Sequence, residues 1–235
     1  MNKKSIKKSE YDHFNKFAKE WWLPNGKFKV LHQIMPLRIE YILKNLEKQK
    51  IKNMKILDLG CGGGLTCEPL SRLGARVTGI DFVKENINVA KQHAKISKLN
   101  INYINADLKS INLDKKFDLI ILFEVLEHID NWEDLIIEIR KNLKPKGKII
   151  ISTINKNEIS KFFGIFVAEK ILKWVPENTH HYDMLIKPDK LSKILDKYNL
   201  QIKNIMGMNF DLFTREWKLN NHIYPINYFC TAELN

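Results

Sequence analysis

Cysteine is scarce in this chain. Its 235 residues hold three, Cys61, Cys67 and Cys230, an odd number without a zinc-ligand grouping. That argues against a disulfide scaffold and for a reducing compartment. Arginine is scarce as well, with five Arg against 34 Lys behind a formal net charge of +12. Nucleic-acid readers favour Arg for bidentate contacts to bases and phosphates. No zinc-finger or RNA-recognition signature accompanies the lysines, so no nucleic-acid partner is expected. A chain this rich in Lys, Ile and Asn reflects compositional drift as much as selection, and an anionic membrane surface suits the same lysines at least as well. Long apolar runs are missing too. Nothing approaches the roughly 20 apolar residues of a membrane span; the most apolar stretch, FFGIFVAEKILKWV, is broken by Glu169, Lys170 and Lys173. The start, MNKKSIKKSE, is basic but has no apolar stretch behind it, so it does not read as a secretory signal.

What is present is a globular composition, 44% hydrophobic and 28% charged, long enough for one full core. Residues 9–22 pattern as helix, a turn follows at Leu23-Pro24-Asn25-Gly26, and Pro36 is placed for the first turn of a second helix running to about Lys48. Apolar runs then alternate with helical patterns. Strands are expected at 54–60, 75–80, 101–106, 117–123 and 148–154, with helices at 65–72, 85–97 and 131–143 between them. A helix at 189–197 and a closing pair of strands at 201–213 and 224–231 complete the chain. This alternation predicts an α/β fold, a Rossmann-like and mostly parallel sheet with an antiparallel closing strand and helices on both faces. Ligands of such sheets bind outside the carboxyl ends of the strands.

The candidate residues fall at those ends. Asp58-Leu59-Gly60-Cys61-Gly62-Gly63-Gly64 follows the first strand, where a tight turn into a helix lets a ligand approach the backbone. Leu65 stands where the dinucleotide fingerprint needs its last glycine, so a Rossmann-type dehydrogenase is not expected. No Lys-Ser/Thr follows the loop, so neither is a P-loop. Asp81 ends the second strand and is placed to take both hydroxyls of a ribose. Asp107, after the third strand, is placed for an adenine edge. A glycine turn alone is more often only a tight loop; the three features in order point to a nucleoside ligand.

This combination, from Met54 to Ile154, resembles the class I S-adenosylmethionine-dependent methyltransferases. Flanking segments narrow the resemblance to the ubiquinone-biosynthesis O-methyltransferases. They are residues 20–28 with the double tryptophan Trp21-Trp22, Leu31-His32, Pro36-Leu37-Arg38, residues 123–128 (Phe-Glu-Val-Leu-Glu-His), residues 152–155, and residues 168–176 leading to Thr179-His180. Leu23, Met35, Asn178 and the Phe210-Asp211-Leu212 stretch depart from the family pattern and bear on substrate shape more than on the reaction.

The resemblance implies S-adenosylmethionine as cofactor, bound by Arg38, Gly60, Asp81 and Phe123. Arg38 can pair with the cofactor's carboxylate, and Phe123 can wall the adenosine; each is equally an ordinary surface or core position. It implies methylation of polyprenylated benzenoids, a 2-polyprenyl-6-hydroxyphenol and 3-demethylubiquinol. It also implies a cytoplasmic protein peripherally associated with the inner membrane, with other ubiquinone-biosynthesis enzymes as partners.

Glu124, Glu127 and His128 share one face if the chain turns helical after the fourth strand. They then bind a divalent cation such as Mg2+, or position Glu127 and His128 as the base for the hydroxyl, or do neither. Residues 1–50 read as a helical cap and 51–235 as the methyltransferase domain. An insertion at about 156–185, with Phe162, Phe163, Phe166 and Trp174 among lysines, suits a lid or a contact with an anionic membrane surface. His180 and His181 are further candidates in it. The rival reading from another class is a non-catalytic lipid- or partner-binding module of the same fold.

Overall fold

The computed structural model describes residues 8–46, 51–108, 113, 115–161, 182–211, 213–221 and 223–235. The chain opens with α1 (Lys8–Phe17), a 3-10 turn (Ala18–Glu20) and α2 (Lys29–Asn45). The alternating part follows as β1 (Lys55–Leu59), α3 (Cys67–Arg72), β2 (Arg76–Asp81), α4 (Lys84–Ile96), β3 (Asn102–Asn105), β4 (Phe117–Phe123), α5 (Trp132–Asn142) and β5 (Leu143–Ile154). The last part holds α6 (Pro188–Lys197), β6 (Leu200–Asp211), β7 (Glu216–Asn220) and β8 (Asn227–Leu234).

The strands form one sheet in the order β3-β2-β1-β4-β5-β8-β6-β7. β1 to β5 are parallel, and β8, β6 and β7 add by antiparallel pairings. Successive strand residues serve opposite faces. Leu57, Leu59, Ile120, Leu122, Ile149 and Ile151 pack with α5 and α6; Ile56, Leu119, Ile121 and Ile150 pack with α2, α3 and α4. Both faces are covered, which explains why FDLIILF is almost wholly apolar rather than alternating. The carboxyl ends of β1, β2 and β4 therefore meet at one edge, and the loops there hold the candidate residues.

Three elements differ from the sequence reading. α2 begins at Lys29, and Pro36 lies inside it. Its buried side chains, Ile34, Arg38, Tyr41 and Ile42, run across the proline, so packing outweighs an interior proline's cost of about 3 kcal/mol. β5 begins directly after α5, and the Pro145–Gly147 turn signal makes a bulge, with Lys146 at φ 60°, where the register against β4 shifts. The closing strands number three, because Glu216–Asn220 forms a hairpin partner for β6.

Candidate active site

The glycine loop is not bare backbone. A Cβ at Gly60 would strike Val125, one at Gly62 or Gly63 would overlap the Trp21 indole, and one at Gly64 would overlap the Tyr103 hydroxyl. Each missing side chain makes room for a side chain of the protein itself. Close packing of the N-terminal segment and of neighbouring elements against the loop excludes Cβ atoms at these positions.

Asp81 closes β2 and is 3% exposed. Its Oδ2 accepts from the Gly62 N–H at 2.9 Å, and its Oδ1 from the Val83 N–H at 2.8 Å and Asn86 Nδ2 at 3.2 Å. Burial pushes this carboxyl up to about 6, against the pull of those donors. Asp58, on β1 beneath the loop, is also pushed up to about 6 by burial, with Cys67 Sγ donating to it at 3.2 Å. Asn105 Nδ2 and the Ala106 N–H both donate to the Asp81 carbonyl and tie the end of β3 to that of β2. Asp107 follows, half-buried.

A second cluster lies after β4. Glu124 takes a left-handed backbone at φ 54°, and a 3-10 turn at Leu126–His128 follows. Arg38 reaches across from α2. Its Nη2 is 3.3 Å from Glu124 Oε1, and its guanidinium carbon lies 4.9 Å from the Phe123 ring centroid. Ser152 Oγ donates to the same Glu124 oxygen at 2.8 Å, and Thr153 Oγ1 donates to Glu127 Oε2 at 2.9 Å. Two atoms here, Arg38 Nε and Glu127 Oε1, are buried without a hydrogen-bond partner among the described residues. Burial lowers the Arg38 pKa despite Glu124 and Asp58 beside it. Burial first, and then the charge of Glu124, hold Glu127 well above the usual carboxylate range.

The structure thus gathers Arg38, Phe123, Glu124 and Glu127. His128 goes elsewhere: its ring meets Phe14 of α1 edge-on, with centroids 5.2 Å apart. The metal trio presupposed a regular helix after β4, and the left-handed Glu124 with a single 3-10 turn removes that shared face. Among the described residues no group of three or more His, Cys, Asp and Glu side chains is arranged to hold a metal ion. Phe162, Phe163, Phe166, Trp174, His180 and His181 lie outside the described residues.

Sequence reasoning missed the parts played by Asn86, Ser152, Thr153 and Asp58. Asn86 had a signal, since a polar residue in the first turn of α4 lies one loop away from a carboxylate ending β2. The serine and threonine were marked only as part of the family segment 152–155, and their partners followed from the β4–β5 pairing.

The strand order, the loop after β1, and carboxylates at the ends of β2 and β4 define a class I S-adenosylmethionine-dependent methyltransferase. Residues 30–204 match the family described as a methyltransferase domain. Across 232 residues the chain is 46% identical to the ubiquinone biosynthesis O-methyltransferase of Pelagibacter ubique, covering 95% of this chain and 96% of that protein. It is 42% identical to the Rickettsia prowazekii enzyme of the same name, covering 97% and 91%. The chain belongs to the ubiquinone biosynthesis O-methyltransferase family. Its fold matches magnesium protoporphyrin IX methyltransferase from Synechocystis, solved with bound S-adenosylhomocysteine, at a TM-score of 0.70 and 21% identity, over 96% of this chain and 98% of that one.

Proposed function

We propose that this O-methyltransferase moves the methyl group of S-adenosylmethionine to a phenolic hydroxyl of polyprenylated benzenoids, a 2-polyprenyl-6-hydroxyphenol and 3-demethylubiquinol. The family supports the reaction. The observation that carries the residue roles is the pair of buried, unpartnered atoms at one cluster, Arg38 Nε and Glu127 Oε1.

These residues fit the donor. Arg38 Nε is a buried cationic donor awaiting an anion, which the donor's carboxylate supplies. Asp81 uses three of roughly four acceptor directions on Gly62, Val83 and Asn86 and keeps capacity for a ribose hydroxyl. When bound, the sulfonium supplies an activated methyl group and a good leaving group. The protein's share is alignment and removal of the acceptor's proton. A general base works better when its pKa is raised from the ordinary carboxylate value, and burial with the Glu124 charge raises Glu127 in that direction. Glu127 takes the hydroxyl proton onto Oε1 while Thr153 holds Oε2, and Arg38 steadies the Glu124 charge alongside. Among the described residues Glu124 and Glu127 alone lie together at this end, and each accepts a hydrogen bond.

A prenylated substrate resides in a bilayer, so the protein visits an anionic membrane surface through residues 156–185, which also serve as a lid. At the described root of that segment Lys156 and Lys161 flank the Tyr182 ring and Ile159 is half exposed. No helix of the described residues is long and apolar enough to cross a membrane. Residues 1–50 act as a cap on the donor side, and other enzymes of ubiquinone synthesis are the partners such a surface would meet.

Incubation with S-adenosylmethionine and a short-chain prenylated catechol, followed by mass spectrometry, tests the reaction. A product heavier by one methylene is expected; no product with that acceptor, in the presence of bound donor, would remove the proposed substrate. Co-sedimentation with phosphatidylglycerol vesicles but not phosphatidylcholine vesicles tests the surface.

A further inference from the structure

The double tryptophan sits on the donor loop through a connected set of contacts. Trp21 packs against Gly62 and Gly63 so closely that neither could carry a Cβ. Its indole stacks on Phe28 with centroids 3.9 Å apart, and His32 Nε2 meets its carbonyl at 2.8 Å. Trp21 Nε1 donates to Asn86 Oδ1 at 2.9 Å, and Asn86 Nδ2 donates onward to Asp81 Oδ1 at 3.2 Å. Trp22 Nε1 donates to the Gly63 carbonyl at 2.9 Å. The Trp22 ring lies flat on His93, 3.4 Å between centroids, and His93 is hydrogen-bonded to the buried Glu68 at 2.6 Å.

We infer that Trp21 and Trp22 are positioning residues for the methyl donor: one orients the Asp81 carboxylate through Asn86, and the other fixes the glycine loop through Gly63. Neither contact needs to touch the donor. An amide held at both ends allows the carboxylate one rotamer, and an indole N–H on the Gly63 carbonyl fixes that peptide plane. The motif's glycines follow from the same packing. Gly62 has φ +52° and needs glycine on backbone grounds as well, whereas Gly63 has no such requirement and is glycine because Trp21 occupies the space.

The inference rests on the donor reading above, and the experiment separates the two. S-adenosylhomocysteine affinity is measured by calorimetry, beside the melting temperature and the KM values for donor and acceptor. A wild-type protein that binds no S-adenosylhomocysteine would sink the donor reading itself. Given wild-type binding, Trp22→Phe keeps the ring and loses the N–H. It should weaken donor affinity about tenfold and raise donor KM alike, with acceptor KM unchanged. Trp21→Phe should do the same through Asn86, and Asn86→Ala should add nothing further in that background. Gly63→Ala should weaken the donor in the wild-type background and have little effect once Trp21 is Ala. If Gly63→Ala costs as much in the Trp21→Ala protein, the glycine serves the donor directly and the inference fails. Unchanged donor affinity in well-folded Trp21→Phe and Trp22→Phe proteins overturns it too.

Discussion

The ends of β2 and β4 both present buried carboxylates, yet they are finished differently. Asp81 has donors on both oxygens: the Gly62 N–H of the glycine loop on Oδ2, and the Val83 N–H with the Asn86 amide on Oδ1. Glu127 has one oxygen held by Thr153 and the other buried without a partner among the described residues, and Arg38 Nε is equally unsatisfied there. A buried polar atom without a partner costs roughly 1–3 kcal/mol, and such sites persist where a ligand completes them. The β2 end therefore holds its carboxylate in one arrangement, whereas the β4 end keeps two buried polar atoms without a partner among the described residues and a carboxyl that burial and the Glu124 charge raise above the usual carboxylate range.

The sharpest way to break that contrast is Glu127→Gln. It keeps the bond from Thr153 and removes the proton acceptor, so kcat should fall about 10²–10⁴-fold while S-adenosylhomocysteine affinity holds. Loss of donor affinity instead would move Glu127 into the donor site. In the wild type, kcat/KM should rise with pH as Glu127 loses its raised proton, and that limb should be missing in the variant.

Asp81→Ala comes next. Donor affinity should weaken by about 2–3 kcal/mol, read by calorimetry, because a charged acceptor for hydroxyls is lost. Circular dichroism should be unchanged, and an intact donor affinity would take the ribose from Asp81.

A smaller effect separates binding from folding by pH. Asp58 and Asp81 have folded pKa values near 6, above the ordinary carboxylate value of 3.8. The folded state then binds more protons than the unfolded one between about pH 4 and 6, so their share of unligated stability falls as pH rises through that window. Donor affinity should move the opposite way, strengthening up to about pH 6 as Asp81 ionises and levelling above it. Melting curves and calorimetry from pH 4 to 8 would show whether the two trends diverge.

The smallest expected effect is that of chelation. With only Glu124 and Glu127 together at the β4 end, EDTA should leave donor affinity unchanged and turnover nearly so. Activity lost on chelation and restored by Mg2+ would mean that substrate binding draws His128 away from Phe14 to complete the trio.

Much of this architecture was readable before any coordinates. The apolar runs at 54–60 and 117–123 are buried on both faces, and a run that long without alternation leaves few alternatives to a central parallel strand. Asp81 and Phe123 were placed at strand ends because such runs end there. β7 was missed because Glu-Trp-Lys-Leu-Asn has only two apolar positions, and its pairing energy comes from β6 rather than from its own pattern.

Sequence by itself determined the order of strands and helices apart from β7, and the edge at which the candidate loops emerge, since both follow from periodicity and turn chemistry along the chain; the family came from the resemblance of its motifs. Tertiary structure alone decided which groups meet. Trp21 and Gly63 stand more than forty residues apart, as do Arg38 and Glu124, and a one-dimensional pattern carries no distance between them. The glycine loop shows the difference best. Its spelling marks a tight turn after a strand, but only packing reveals that Trp21 fills the space beside Gly62 and Gly63, Val125 that at Gly60 and Tyr103 that at Gly64.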